Sequence, residues 1–360
     1  MAAGRVDEPR PVRDEDAFDV AAVHGWLGER APGEEPPQVR QFSGGASNLT
    51  YLLRYPAGGE LILRRPPTGT KARSAHDMRR EHLIQSRLAP VFPYVPRMVG
   101  LCTDEAVIGS EFYVMERLPG VILRRELPAG TTLDPGQASG LCRNVLDRLV
   151  DLHGVDPRAA GLAEIGRGDG YVRRQVSGWS DRYRRARTRN VPSFRRVMDW
   201  LDANQPPDAG ARLIHNDYRL DNIVLDPELP WDRREAVRGI LDWEMATIGD
   251  PLMDLGGALA YWAEAGDGPV ATRLRTQPTH LPGMLTRREA VAYYCEKAGL
   301  PADNWAFYEV FGLFRLAVII QQIYFRYHHR QTRNPRFKNY WIACHWLHHR
   351  ARRAIRGSGI

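Results

Sequence analysis

The chain has 360 residues, of which 43% are hydrophobic and 26% are charged. This length allows two lobes with cores of their own, and the composition is typical of a globular protein rather than of a disordered or fibrous chain. The net charge is +7, from 50 Lys and Arg residues against 43 Asp and Glu residues. Because no nucleic-acid-binding motif accompanies this charge, we expect small anionic ligands rather than nucleic acid as partners.

The cysteines and the N-terminal sequence bear on the cellular compartment. Cys102, Cys142, Cys295 and Cys344 lie far apart, without a closely spaced pair. This spacing predicts reduced, buried thiols rather than disulfides or a zinc site. The first residues lack the apolar segment of a secretory signal, and no uninterrupted apolar run is long enough for a membrane span. We therefore expect a cytoplasmic protein that does not bind membranes.

The first half of the chain contains the pattern of a small antiparallel sheet. Residues 1–15 are polar and charged, which predicts a disordered tail, and residues 16–29 have the periodicity of a short amphipathic helix. Strand-like segments then cover residues 39–42, 49–53, 60–65, 97–102 and 111–116, with a helix ending at Leu88 between the third and the fourth. A Gly/Ser-rich turn joins the first two strands. Its small residues and backbone N–H groups suit phosphate binding, so Ser47 and Asn48 are candidate phosphate contacts.

The most informative stretch covers residues 213–225. Two apolar strand-like segments flank a polar loop with His215, Asp217 and Asn222, and Asp242 directly follows a further apolar strand. Phosphoryl transfer to a hydroxyl requires a carboxylate near the hydroxyl and hard oxygen ligands for Mg²⁺ on the phosphates. Asp217 fits the first role, and Asn222 with Asp242 fits the second. Each residue alone is typical of a turn, but the joint pattern favours a catalytic site.

These motifs resemble a known family. His-Asn-Asp at residues 215–217, Asn222 five positions after Asp217, and Leu-Asp-Trp at residues 241–243 are similar to the catalytic and metal-binding loops of the aminoglycoside phosphotransferase family. The motifs at residues 218–222, 249–251 and 314–317 resemble the branch that is fused to acyl-CoA dehydrogenases in other proteins. The resemblance covers roughly residues 38–350.

The resemblance implies an α+β, protein-kinase-like fold with two lobes. We expect a polar tail and a short helix over residues 1–37. A nucleotide-binding lobe with a small antiparallel sheet is expected over residues 38–118, and a larger, mainly helical lobe that holds the catalytic loop and the acceptor over residues 119–360.

The resemblance also implies roles for residues of the small lobe. Arg64 stands where the family has a Lys that holds the α- and β-phosphates, and Glu81 is its expected partner. Strand alternation places Ile62 on the same face as Arg64, at the nucleotide. Residues 115–120 are expected to form the linker between the lobes, with the backbone at Met115 and Glu116 binding the adenine. The alternative for Arg64 and Glu81 is an exposed surface position.

Several residues of the large lobe are expected to support the catalytic loop. His215 should orient the loop through hydrogen bonds, and Asp254 should brace it. Arg219 is a candidate catalytic residue that contacts the γ-phosphate or an anionic acceptor, with solvent exposure as the alternative. A helix over residues 171–187 is predicted either to shape the acceptor pocket or to pack in the ordinary way. His345 and His349 lie one helical turn apart and are either metal ligands or part of a basic surface.

These expectations describe an ATP- and Mg²⁺-dependent kinase that phosphorylates a hydroxyl of a small molecule, with GTP as an alternative nucleotide. The acceptor is a hydroxyacyl-CoA or another anionic metabolite in one hypothesis, and an aminoglycoside or nucleoside antibiotic in the other. A third hypothesis, from a different class, is a nucleotide-binding regulator with little catalysis, which the Arg at position 64 supports. The sequence does not indicate the oligomeric state.

Overall fold

The computed structural model describes residues 9–42, 48–67 and 77–357, and the predicted phosphate contact Ser47 lies outside these ranges. The described residues form the predicted two lobes. The small lobe is built on an antiparallel sheet whose strands, in spatial order, are β1 (Gln38–Gln41), β2 (Leu49–Arg54), β3 (Glu60–Arg65), β5 (Phe112–Glu116) and β4 (Met98–Cys102).

The two faces of the small-lobe sheet are covered by different helices. Alternation along β2, β3 and β5 directs Leu53, Leu63 and Val114 to one face, where they pack with α1 (Val20–Leu27). Ile62 and Met115 point to the opposite face and are directly opposed in the strand register. α2 (Met78–Leu88) packs on this second face and begins after the capping residue Asp77.

The N-terminal segment is not the disordered tail that the sequence predicts. Arg10 forms a β-bridge with Gln41, so the segment extends the sheet edge. The Arg13 N–H donates to the side-chain oxygen of Gln41 at 3.1 Å. The Gln41 side chain in turn donates to Asp16 Oδ2 at 2.8 Å. The prediction is therefore wrong for residues 9–15, because buried polar groups of the sheet supply partners for these polar residues. The helix also starts later than predicted, since Asp19 caps it.

The connection between the lobes begins later than predicted. Met115 and Glu116 still belong to β5, because the Glu116 N–H donates to the Arg97 carbonyl oxygen at 2.9 Å and Glu116 opposes Leu61 in the register. The connecting residues are therefore 117–120. A Cβ atom at Gly120 would lie 2.5 Å from the carbonyl oxygen of Leu225, so only glycine allows the connection to pass this close to the large lobe.

The large lobe is mainly helical. Its helices are α3 (Pro135–Gly154), α4 (Tyr171–Ala186), α5 (Arg195–Ala203), α6 (Pro251–Ala260), α7 (Gly268–Leu274), α8 (Arg287–Ala298), α9 (Trp305–His328) and α10 (Tyr340–Ile355). Two small sheets carry the catalytic segments. One consists of β6 (Val121–Ile122), β8 (Ile223–Leu225) and β9 (Val237–Ile240), and the other pairs β7 (Arg212–Ile214) with β10 (Thr247–Gly249).

Helix α9 runs through the core of the large lobe. By length and composition it could cross a membrane, but 72% of its most apolar window is buried inside the protein, as expected for a core helix. It crosses α6 at very short range, because a Cβ atom at Gly312 would lie 2.1 Å from the Gly256 carbonyl oxygen. Arg315 follows Gly312 by about one turn, and its guanidinium passes Gly257 of α6 to reach the catalytic loop.

Candidate active site

The backbone of the catalytic loop is held by one carboxylate from α6. Asp254 accepts hydrogen bonds from the backbone N–H groups of His215, at 2.7 Å, and Asn216, at 2.8 Å. Its carboxylate also contacts the buried ring of His153, which closes α3. Asp250 caps the N-terminus of α6 and so fixes the helix that presents Asp254. The expected bracing contact of Asp254 is therefore present.

His215 links the catalytic loop to the segment around Asp242, which follows β9. Its Nδ1 accepts from the Asp217 N–H at 3.2 Å, so Nε2 carries the proton and donates to the Leu241 carbonyl oxygen at 3.0 Å. Burial lowers the pKa of His215 below its usual value, which favours the neutral ring that this arrangement requires. His215 therefore orients both Asp217 and the residue before Asp242.

Two residues of the site have left-handed backbone conformations. Asn216 has φ 65° and Asp242 has φ 69°, a region that Asn and Asp tolerate better than most residues. The Asn216 side chain forms two hydrogen bonds within the site. Its Oδ1 accepts from the Tyr171 hydroxyl at 3.3 Å, and its Nδ2 donates to the Met245 carbonyl oxygen at 3.1 Å.

Asp217 is surrounded by donors. The Nδ2 atom of Asn222 donates to the Asp217 carbonyl oxygen at 2.8 Å and to its Oδ2 at 3.2 Å. Arg219 donates to the same Oδ2 at 3.2 Å, while its Nε lies 3.3 Å from Asp221 Oδ1. The guanidinium of Arg219 stacks 4.6 Å from the ring centroid of Tyr261. Arg219 is thus held against the proposed catalytic carboxylate and does not extend into solvent.

Arg64 of the small lobe contacts Asp242 of the large lobe. It is 8% exposed; one guanidinium nitrogen lies 2.5 Å from Glu81 Oε1, and another lies 3.2 Å from Asp242 Oδ1. Burial opposes the charge of Arg64, but Glu81 and Asp242 outweigh it and raise the pKa of the guanidinium. Neither Arg64 nor Glu81 is therefore a surface residue, and the expected pair between them is formed.

Asn222 and Asp242 fit a magnesium site. The Asn222 carbonyl oxygen accepts from the Leu241 N–H at 2.8 Å, which places the two side chains on adjacent segments. Because Asn222 donates to Asp217 through its nitrogen, its side-chain oxygen is the atom that would ligate a metal. A carboxylate and an amide oxygen, completed by phosphates and water, are the donor set that Mg²⁺ prefers. No group of three or more His, Cys, Asp or Glu side chains with metal-binding spacing occurs in the described ranges.

Comparison with known proteins identifies the family. The sequence profile of the phosphotransferase enzyme family, abbreviated APH, matches residues 38–289. The chain belongs to this family. It is 36% identical over 327 residues to mouse acyl-CoA dehydrogenase family member 10, a match that covers 89% of this chain but only 30% of that much longer relative.

Solved structures agree with this family. One is a Ralstonia eutropha protein, described provisionally as an aminoglycoside phosphotransferase, with 28% identity and a TM-score of 0.75. The match covers 94% of this chain and 99% of that one. The GDP and kanamycin complex of aminoglycoside 2″-phosphotransferase IIIa has 14% identity and a TM-score of 0.59, with coverage of 92% and 98%, and shares the fold. The predicted family, which is one of phosphotransferase enzymes, and the predicted fold class are confirmed.

In this phosphotransferase, two contacts between the lobes were not predicted. Asn48, the candidate phosphate contact, donates to Glu244 Oε2 at 3.1 Å, and so reaches the segment that follows Asp242. Arg80 of α2 donates to the carbonyl oxygens of Glu244, at 3.3 Å, and Ala246, at 2.6 Å. The partners are more than 160 positions apart in sequence, so no local pattern indicates these contacts.

The α4 side of the catalytic loop contains further residues to which the sequence analysis gave no individual role. Arg315 of α9 donates to the Asn216 carbonyl oxygen at 2.5 Å. Its guanidinium lies 5.2 Å from the ring centroid of Trp179, and that of Arg182 lies 4.5 Å from the same ring. Together with the Tyr171 contact to Asn216, these contacts place α4 beside the catalytic loop. Helix α4 therefore belongs to the wall of the site.

The C-terminal histidines lie away from this site. His345 Nε2 contacts the Asn190 carbonyl oxygen at 3.0 Å, and the ring of His348 packs 4.8 Å from Phe194. His349, the other half of the predicted pair, is exposed. Each of the first two rings thus has a protein contact of its own in the segment that leads into α5.

Proposed function

We propose that this phosphotransferase moves the γ-phosphoryl group of ATP to a hydroxyl of a small anionic molecule, with Mg²⁺ as the metal. The observation that carries this proposal is the convergence of four residues from three separate segments on one site. Arg64 from β3 contacts Asp242 after β9, and Asn222 contacts Asp217 within the catalytic loop. The backbone hydrogen bond from Leu241 to Asn222 joins these two pairs.

The nucleotide side of the cleft is formed by Arg64, Asn222 and Asp242. Magnesium bound to Asn222 and Asp242 would neutralise phosphate charge and fix the phosphate geometry. Arg64 is anchored by Glu81, so its guanidinium is held in place before phosphate arrives. Arg presents a planar pair of donors where the family commonly has Lys, which suits bidentate contact with a phosphate. Ile62 and Met115 form an apolar surface on the same face, which suits a nucleotide base.

Asp217 is the residue that would accept or orient the acceptor hydroxyl. Phosphoryl transfer passes through a loose transition state, so positioning and charge stabilisation should contribute more than base strength. Contacts from Asn222 and Arg219 already fix the Asp217 carboxylate. Arg219 can meet charge that develops on the transferred group, since it lies on the same carboxylate and is held by stacking on Tyr261.

The acceptor is proposed to be anionic, for example a hydroxyacyl-CoA. The chain carries a net charge of +7, and arginines from α4 and α9 lie beside the catalytic loop. The similarity to acyl-CoA dehydrogenase family members is consistent with an acyl-CoA metabolite.

An antibiotic acceptor is the competing proposal, since a relative in fold binds kanamycin. The basic wall disfavours that polycation.

The test is acceptor-dependent consumption of ATP, and in parallel of GTP, by the purified protein with Mg²⁺. The acceptors are pooled hydroxyacyl-CoAs, hydroxy acids, aminoglycosides and nucleoside antibiotics, and the Asp242→Ala protein is the blank. We expect turnover with an anionic pool that is lost in the blank. Turnover with aminoglycosides alone would overturn the acceptor proposal. Tight nucleotide binding without turnover of any pool would instead support a nucleotide-binding regulator.

A further inference from the structure

A basic surface adjoins the catalytic loop on the side opposite Arg64. Helix α4 carries five arginines against a single acidic residue, Asp181. Arg184 on this helix forms an exposed ion pair with Asp181 at 2.9 Å. Arg182, one turn closer to the catalytic loop along the helix than Arg185, instead turns its guanidinium onto the ring of Trp179. Arg184 is therefore paired with a carboxylate, whereas Arg182 stacks on an aromatic ring.

The Trp179 ring is contacted by arginine side chains from two helices. Its ring is 5% exposed and contacts Arg182 of its own helix as well as Arg315 of α9. Arg315 is also 5% exposed, and its hydrogen bond to the Asn216 carbonyl oxygen uses one of its five N–H donors. Neither arginine forms an ion pair with any carboxylate in the part of the chain that the structure describes.

For Arg315 this lack of counter-charge is unusual, because buried charges in proteins are normally paired. Arg182 is exposed, so its guanidinium is accessible to a ligand. Partial desolvation and the nearby charges of Arg185 and Arg315 lower the pKa of Arg182, which agrees with a site that lacks negative charge. The site lies next to Asp217, since Arg315 contacts the residue directly before it. A bound anion would supply the missing counter-charge at this position.

We propose that Arg182 and Arg315, arranged around Trp179, form the subsite that binds an anionic group, a carboxylate or a phosphate, of the acceptor. This inference rests on the proposed function, since it assigns the acceptor of the same site. The anion and the reactive hydroxyl belong to one molecule, with the hydroxyl at Asp217 and the anion toward Trp179. Arg315 both holds the Asn216 carbonyl and faces the anion, whereas Arg182 is free of contacts to the catalytic loop among the described residues.

Arg182 gives the cleaner test, because Arg315 also supports the loop. Binding is measured by calorimetry in saturating Mg²⁺ and ADP, so that anions do not occupy the nucleotide side. The probes are 3-hydroxybutyrate, 3-hydroxybutyryl-CoA and glycerol 3-phosphate, with 3-hydroxybutyramide, glycerol and kanamycin as neutral or cationic counterparts. The proteins are wild type, Arg182→Gln and Arg184→Gln. The last variant removes the same charge from the same helix at the exposed Asp181 pair.

We expect at least one anionic probe to bind, with an affinity that falls about tenfold in Arg182→Gln and stays unchanged in Arg184→Gln. The identity of the anion whose affinity falls in Arg182→Gln distinguishes a carboxylate site from a phosphate site. Equal losses in the two variants, binding of the neutral counterpart as tight as that of the anion, or no binding of any anionic probe would overturn the subsite.

Parallel turnover assays separate this proposal from the proposed function. If Arg182→Gln transfers phosphate with the same KM for the acceptor as wild type, the kinase proposal stands and the subsite is refuted. Anion binding that depends on Arg182, in a protein without turnover, would keep the subsite and refute the kinase. An Arg315→Lys variant provides a second check, because it retains a charge but loses the planar group, and should weaken the same anions.

Discussion

Arg64 and Arg315 are both more than nine-tenths buried and both border the catalytic segments, but their neighbours differ in charge. Arg64 contacts two carboxylates, Glu81 and Asp242. Arg315 contacts a backbone carbonyl oxygen and an indole ring. Asp217 lies between these two environments.

The difference indicates two kinds of positive charge in one site. An arginine that is fixed by carboxylates is preorganised, and it suits a phosphate chain whose charge is largely neutralised by a metal. An arginine without a carboxylate leaves the site with excess positive charge, which suits an anionic ligand that supplies the balance. The proposed nucleotide side and the proposed acceptor side therefore differ in how their arginines are paired.

The residue between the two sides should give the largest effect. Asp217→Ala is expected to lower kcat by roughly 10²–10⁴, because it removes the group that accepts or orients the hydroxyl. Steady-state assays of phosphoryl transfer measure this loss, and nucleotide binding should be retained because Arg64 and Asp242 are unchanged. A variant with near-wild-type turnover would remove Asp217 from the catalytic role.

Removing the carboxylate that pairs with Arg64 should lower the free energy of unfolding. In Glu81→Gln, Arg64 loses its buried partner at 2.5 Å and keeps only Asp242. We expect the free energy of unfolding to fall by about 3 kcal/mol. Denaturant unfolding measures the change. Glu111→Gln is the matched control, because it breaks the exposed pair with Arg79 and should cost less than about 1 kcal/mol. Equal losses in both variants would show that the Arg64 pair has no special importance.

A smaller effect concerns the pH dependence of the loop that carries Asp217. Burial lowers the pKa of His215 in the folded state, so the unfolded chain binds the proton more readily. The stability that depends on the neutral ring should therefore be lost as pH falls below about 6.5, at no more than about 1.4 kcal/mol per pH unit. Unfolding at pH 7.5 and pH 5.5 should depend less on pH in His215→Gln than in wild type.

The control for this pH experiment is His349→Gln, since His349 is exposed and should leave the pH dependence unchanged. If His215→Gln retains the full wild-type dependence, other groups are responsible. The neutral ring of His215 would then not contribute to the pH response of the loop.

Local patterns predicted much of this molecule. The bounds of β3 (Glu60–Arg65) coincide with the predicted segment, and α4 (Tyr171–Ala186) ends one residue earlier than predicted. These elements are predictable because alternation and helical periodicity are properties of neighbouring residues. The Arg64–Glu81 pair was also predicted, but from the resemblance to the family and not from a local pattern.

Contacts that depend on tertiary packing were not predictable. Arg315 reaches Asn216 across 99 positions, and Arg80 reaches Glu244 across 164. Nothing in the neighbourhood of either arginine indicates its partner, because the approach depends on how α9 crosses α6 and how the two lobes meet. The order of residues 9–15 has the same origin, since their polar groups find partners only on the folded sheet.

The most direct measurement follows the label from [γ-³²P]ATP in the presence of Mg²⁺ and single acceptors, with products separated by chromatography. Wild-type protein and Asp217→Asn are compared on hydroxy anions and on their neutral counterparts. The account predicts label on an anionic acceptor, at a rate that is strongly reduced in Asp217→Asn and low for the neutral counterpart. Label that appears only as inorganic phosphate, or that is transferred equally by wild type and Asp217→Asn, would contradict it.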